Sequence, residues 1–337
     1  MLSKSTGPRY VKSLLILIPL FVTIFYISLT NGTFDLTIND VIHTLLRINP
    51  VPAHDLVLFD YRLPRIVVAS LVGLGLGIAG AVIQGITKNG LADPGILGIN
   101  AGAGAAIVLF LFFFHEQFGS FSVLMQPLFG LIGGLVAAVI IYLLAWKNGR
   151  IDTQRLILTG IAISSGFGAL AMYLSLKMKA SDFEMATVWT TGSVYNANWQ
   201  SILAMLPWFL LIIPIYRKSY LLDLFQLEES SLKSLGVSIE KEKAILLLSS
   251  IGLVSACVSV SGGIGFIGLM GPHIAKQLVG LQHRYIMPIC GVIGMILVVA
   301  SDFIAKNLFS PAEISVGIII SIIGVPYFLY LLLKARS

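Results

Sequence analysis

The sequence predicts an all-α polytopic membrane protein, and three observations predict it. The 337 residues are 57% hydrophobic and 11% charged, where a soluble domain averages about one quarter charged; an ordinary soluble enzyme is excluded. The 38 charged side chains (22 basic plus 16 acidic) are clustered, so nine windows carry none: 13–34, 66–87, 94–115, 117–146, 156–176, 185–216, 244–275, 285–301 and 314–333. A helix rises about 1.5 Å per residue, so roughly 20 apolar residues cross a hydrocarbon core about 30 Å thick. A β-barrel would instead show alternating segments of about 10 residues. The third observation, a one-sided distribution of bases, follows from tracing the windows in order.

Lys4, Arg9 and Lys12 precede the first window and place the N-terminus inside, because Lys and Arg favour the cytoplasmic side. This start resembles a signal peptide, but its 22 charge-free residues exceed an h-region and no small-residue cleavage site follows. It is read as a retained first span. Residues 30–64 are then external, 66–86 run inward, 94–114 outward, 122–146 inward and 156–176 outward. Residues 177–199 are external, 200–216 return to a polar segment at 217–243, and 244–262 go out. Between Ser261 and Arg284 five glycines precede Pro272 and a charge follows at Lys276, which excludes a uniform lipid-facing helix and predicts a re-entrant or short inward span. Spans 285–305 and 314–333 complete about ten, with both termini inside; eight- and nine-span arrangements stay open. The trace puts 16 of the 22 bases inside, leaving only Arg47, Arg62, Arg65, Lys177, Lys179 and Lys306 outside. One transmembrane domain, 1–337, holds the whole chain.

The net charge of +6 does not indicate nucleic acid, because the bases are strung between apolar windows and form no patch. Cys257 and Cys290 lie within such windows, where a thiol behaves as a small hydrophobe. Residues 219–243 interleave apolar and charged positions, with Leu222, Phe225, Leu232 and Leu235 suited to short amphipathic helices and Gly236 to a helix stop. Such a segment docks on a partner or lies on the headgroups. The runs Gly73–Gly77 and Gly262–Gly268 lack the Lys-Ser/Thr of a phosphate loop and suit close helix packing. Hence the chain is expected not to hydrolyse ATP, to bind no cofactor and to hold no metal. An ion-coupled carrier would place carboxylates at mid-membrane; here Asp93 and Asp302 come nearest, each at a span boundary. His273 reads as a hydrogen-bonded structural residue, and Gln84 and Asn100 suit interhelical hydrogen bonds or a path lining.

Several segments resemble one family. RLPR at Arg62–Arg65, GIAGAVIQGITKNGLADPGILGINAGAGAA from Gly77 to Ala106 and WTTGS at Trp189–Ser193 are similar to the permeases of iron-siderophore and cobalamin ABC importers. So are SLGV at Ser234–Val237, GGIGFIGLMGPHIAKQLVG from Gly262 to Gly280, HRYIMP at His283–Pro288, ASDFIAK at Ala300–Lys306, and SPAEISVGIIISIIGVPYFLYLLLK from Ser310 to Lys334. The resemblance covers nearly the whole chain and implies the FecCD-type, cobalamin-importer-permease-like fold of ten helices in the bacterial plasma membrane. It implies a pair of permeases, of the same or related chains, two ATPases that use the ATP, and an external binding protein. By the resemblance, residues 219–243 are the coupling loop, with Leu222, Leu235 and Gly236 at the ATPase groove and Glu228 and Lys233 at its rim. Arg62, Arg65 and Lys306 match positions that pair with acidic residues of the binding protein; lysine at 306 departs from the family's arginine and loses the bidentate fork. Gly90-Leu91 after Asn89 departs from the usual Asn-Pro and frees that turn. Spans five and ten line the path, which makes Ser164, Ser165, Ser315 and Ser321 its polar candidates. The implied cargo is a ferric siderophore, with cobalamin or haem as alternatives and an ion-coupled secondary transporter as the rival mechanism.

Overall fold

The computed structural model describes residues 6–32, 34, 36–48, 51–118, 122–147, 149–227, 232, 238–308 and 312–336. Among them, eight helices are long and apolar enough to cross a membrane. In chain order the helices are α1 (Thr6–Thr30), α2 (Ile38–Leu45), α3 (Pro52–Asp55), α4 (Leu63–Thr87), α5 (Ile99–Phe113), α6 (His115–Phe118), α7 (Ser122–Ala145) and α8 (Thr153–Ser175). There follow α9 (Ala180–Thr191), α10 (Trp199–Phe209), α11 (Ile212–Arg217), α12 (Ser219–Leu224), α13 (Ile239–Ser261), α14 (Ile267–Val279), α15 (His283–Asn307) and α16 (Val316–Arg336). The only strands among the described residues are the two-residue pair Trp146–Lys147 and Arg150–Ile151 between α7 and α8.

The apolar windows became helices, with three informative differences at their edges. The second span does not start near residue 66: α3, a π-helical stretch Leu56–Arg62 and α4 run without interruption from Pro52 to Thr87, 36 residues. Asp55, Asp60, Arg62 and Arg65 had hidden the first turns, because a charge-free window ends where charged side chains begin, whether they are buried, as Arg62 and Arg65 are, or exposed, as Asp60 is. Pro52 at the first position gives up an N–H that would be unpaired there anyway. The span read as 200–216 is two helices, α10 and α11, each containing a proline (Pro207 and Pro214) that removes a backbone donor. Finally, α5 and α14 have only 15 and 13 residues, about 22 and 20 Å of rise.

The break before α14 confirms a non-uniform segment. Gly262 adopts φ +68° beside the Trp189 carbonyl, and Phe266 takes a left-handed φ of 64° at the start of α14. The surrounding protein supplies hydrogen bonds there, with Ser193 N donating to Ser261 O (2.8 Å) and Gly317 N to Gly192 O (2.9 Å). Irregular backbone inside a membrane bundle persists only under such pairing.

The core is α4, surrounded by α13, α14 and α15. In α4 and α13, 78% of the most apolar window is buried, against 11% in α8. Glycine lets these helices touch backbone to backbone: a methyl group at Gly73 would overlap the Gly294 carbonyl of α15, and one at Gly80 would overlap Gly268 of α14. The glycine runs therefore serve close packing. Ser250 Oγ of α13 donates to Ala79 O of α4 (3.3 Å), and buried Cys257 packs beside Gly75. The helix pair α4 and α15 defines two ends of the bundle, one at Arg65 and Asp302, the other at Gly85 and His283.

Candidate functional site

At the first end the π-helical stretch and the first turn of α4 deliver Arg62 and Arg65 to the ends of neighbouring helices. Arg62 donates to Leu29 O (2.6 Å), Thr30 O (3.0 Å) and Phe34 O. The last carbonyls of α1 have no partners within their own helix, and a guanidinium satisfies them while opposing the helix dipole. Arg65 meets Asp302 of α15 through Nε to both carboxylate oxygens (3.0 Å each) and Nη2 to Oδ1 (2.9 Å). Its Nη1 donates to Glu313 Oε2 (2.8 Å), just before α16. The Tyr195 ring lies 5.7 Å below the guanidinium carbon. One turn beyond Asp302, half-buried Lys306 brings its ammonium towards Gly32, where Arg62 also reaches.

These groups form one wall of a cavity of about 1010 Å³ that opens at this end. Asp60, His115 and Glu184 line other parts of it, and Trp189 and Tyr195 contribute aromatic surface. The sequence reading takes Arg62, Arg65 and Lys306 as outward docking bases, with the lysine a departure from the family's arginine. The structure brings the three together, but Arg62 and Arg65 are 4% and 9% exposed and spend their donors on the chain itself. Asp302, seen in the sequence as a carboxylate at a span boundary, is the partner that sequence reasoning missed. Its signal was its position four residues before Lys306, on the helix face that meets the RLPR turn.

At the opposite end, polar side chains join the end of α4 to α12, α14 and α15. Gln84 donates through Nε2 to Gly268 O (3.3 Å) and accepts from Lys276 Nζ on Oε1 (2.9 Å), so this intramembrane glutamine and the lysine of the broken segment satisfy each other. Leu222 is fully buried against Gly85. Gln226 Nε2 donates to Gly85 O (3.3 Å), and Lys88 Nζ to Leu227 O (3.2 Å). Asp223 Oδ1 accepts from both the backbone N–H of His283 (3.0 Å) and its ring Nδ1 (2.6 Å). Lys218 pairs with Glu242 at the start of α13. Of the loop residues singled out in the sequence, Leu222 is anchored here, as are Phe225 and Leu232, both buried; Glu228, Lys233, Leu235 and Gly236 lie outside the described residues.

The four serines do not form one cluster. Ser165 and Ser321 hydroxyls bond to carbonyls of their own helices, Ile161 O (3.0 Å) and Gly317 O (2.7 Å). Ser315 Oγ donates to Thr191 Oγ1 (3.4 Å), and Ser164 faces Gly98. Helix α8 presents an open face, where added side chains at Gly166 or Gly168 would meet nothing within 4 Å, and α16 exposes Ile318, Ile322, Val325 and Leu329. His273 packs edge-on against Tyr327 at 5.8 Å, and Asp93 accepts from Gly95 N (2.7 Å) while its other oxygen lies beside Gly268. Among the described residues no group of three or more His, Cys, Asp or Glu could hold a metal ion.

A bundle of this architecture, with a charged cavity at one end and a clasped loop at the other, has known counterparts. The profile of the FecCD transport family matches residues 20–334. The chain belongs to the FecCD transport family. It is 54% identical over 330 residues to the iron-uptake system permease protein FeuC of Bacillus subtilis, covering 97% of this chain and 98% of that protein. The iron(3+)-hydroxamate import system permease protein FhuG of the same organism is 42% identical over 341 residues, with full coverage of both chains. A solved structure described as an inward-facing conformation of a metal-chelate type ABC transporter superposes with a TM-score of 0.81 at 30% identity, covering 96% of this chain and 99% of that one. As a FecCD protein the chain is a multi-pass membrane permease, in agreement with its apolar helices.

Proposed function

We propose that this FecCD permease moves a ferric siderophore into the cell as the membrane subunit of an ATP-driven importer. The observation that carries the reading is the 54% identity, over almost the whole chain, to a permease of an iron-uptake system; a hydroxamate import permease at 42% supports a chelated cargo. The cavity end is external and the end with α12 is cytoplasmic, as are both termini; the 16 bases assigned to the inner side support that orientation. The binding protein docks over the cavity mouth. There Lys306 is the base available to an acidic partner, and Arg62 and Arg65 add positive field while holding the mouth in shape. Exposed pairs of this kind contribute little affinity and mainly steer and orient the partner.

On the inner side, an ATPase subunit engages residues 219–243 and does the hydrolysis. This chain has no phosphate-binding loop of its own. A second permease covers the open faces of α8 and α16, so that the conduit runs between two chains lined by small and hydroxyl residues such as Ser164, Ser165, Ser315 and Ser321. The charge-free stretches 156–176 and 314–333 suit a bulky chelate that must be released. The test is complementation of a strain lacking its siderophore permease: restored growth on a ferric siderophore, with an ABC ATPase co-purifying, supports the reading. Accumulation of the protein in the membrane without uptake of any ferric chelate would refute the cargo.

A further inference from the structure

We propose that Asp223 and His283 are positioning residues that clasp the ATPase-facing segment to the membrane bundle, so that its movement is transmitted to α4 and α15 as one rigid body. The proposal rests on the reading of 219–243 as the coupling segment. Helix α15 has no side-chain cap of its own at Gln282. The carboxylate of Asp223, on α12, supplies that cap from another element by accepting the His283 N–H, and the same oxygen accepts the ring Nδ1. A carboxylate at a helix N-terminus also sits favourably in the helix dipole. The His283 side chain is 5% exposed and its Nε2 is buried without a hydrogen-bond partner, facing Gly85. Burying an unpaired ring nitrogen is costly, and the ring is held in that place by donating from Nδ1 to the Asp223 carboxylate, which can only accept.

The grip extends to α4. Leu222 is adjacent to Asp223 in sequence and fills the space left by Gly85, and Gln226 bonds to the Gly85 carbonyl. Beyond the clasp, α4 and α15 have no slack. Their backbones meet at Gly73 with Gly294 and at Gly77 with Cys290, and Arg65 joins Asp302 at the far end. A helix of 25 residues rises about 37 Å, so the locked pair reaches from the coupling segment to the cavity mouth. Breaking the clasp would let the segment follow the ATPase while the bundle stays behind.

The experiment uses the complete complex of permease, ATPase and binding protein in proteoliposomes, and measures ferric siderophore taken up per ATP hydrolysed. His283→Phe, outside the segment the ATPase engages, is expected to retain ATPase co-purification and hydrolysis within about twofold, and both it and Asp223→Ala to lower uptake per ATP hydrolysed about tenfold, the size of an ordinary coupling effect. Asp223→Asn, which keeps an acceptor oxygen, is expected to retain most of the coupling. The double variant should lose no more than either single one, as residues acting as a unit do. Unchanged uptake per ATP in Asp223→Ala, or additive losses in the double variant, would overturn the clasp. Asp223 has a side chain 36% exposed, so its removal decides the question even if His283→Phe does not insert. Failure of the unmodified permease to hold an ATPase would be a different result, refuting the coupling reading itself.

Discussion

Asp302→Ala tests whether the RLPR arginine is a structural clasp. The Asp302 and Arg65 side chains are 7% and 11% exposed. The substitution removes three of the four hydrogen bonds that hold the guanidinium and leaves only the one to Glu313. Breaking one partner out of a buried ion pair costs about 3–5 kcal/mol, because the remaining charge is stranded; the surviving Glu313 contact places this case near about 3 kcal/mol. In detergent-solubilised protein this is a fall in apparent melting temperature of about 5 °C or more. Arg65→Met/Asp302→Leu removes both charges and should recover most of the loss, since apolar replacements of buried pairs are often neutral. Melting by intrinsic fluorescence of the three proteins decides it. A single variant within 1 °C of the parent, or a double variant less stable than the single, would refute the clasp.

Other substitutions have equally definite outcomes. Gly294→Val drives a side chain into the Gly73 carbonyl and should lower the amount of folded protein in the membrane by well over half, measured by quantitative immunoblot, since overpacking of about 1–3 kcal/mol has nowhere to relax against backbone. Leu222→Ala leaves a cavity beside Gly85; a loss of about 2–5 kcal/mol, read by thermal melting, should accompany weaker ATPase co-purification. Lys306→Glu should reduce association of the binding protein about tenfold at low salt, the decade expected from lost electrostatic steering, with little effect at high salt, and Lys306→Arg should retain it in the same binding assay.

Much of the architecture was legible because lipid contact writes itself into composition. The long helices α1, α7, α8, α13, α15 and α16 fall where charge is absent from the sequence for a membrane's thickness. The same logic misjudged where the second span begins, because the turns from Pro52 to Arg65 carry exposed Asp60 and buried Arg62 and Arg65. The broken segment around Gly262 was recognised from its glycines, but what pairs with it, Ser193 N donating to Ser261 O beside the Trp189 carbonyl, is distant in sequence. The arginines were found through a motif, and their engagement was not, because Asp302 is 237 residues from Arg65 along the chain. Likewise His283 and Asp223 each look unremarkable in sequence; only the fold brings them within 2.6 Å. Pairings across such separations leave no local periodicity to read.

By the proposed function, this chain transports only as part of an ATP-driven assembly. Purified permease should be reconstituted in liposomes with and without the ATPase and the binding protein, and uptake of a radioiron-labelled ferric hydroxamate followed. Uptake that requires both partners and internal ATP, and persists when ion gradients are collapsed, is the predicted result. Uptake by the permease alone, driven by a proton or sodium gradient and abolished by an uncoupler, would contradict it.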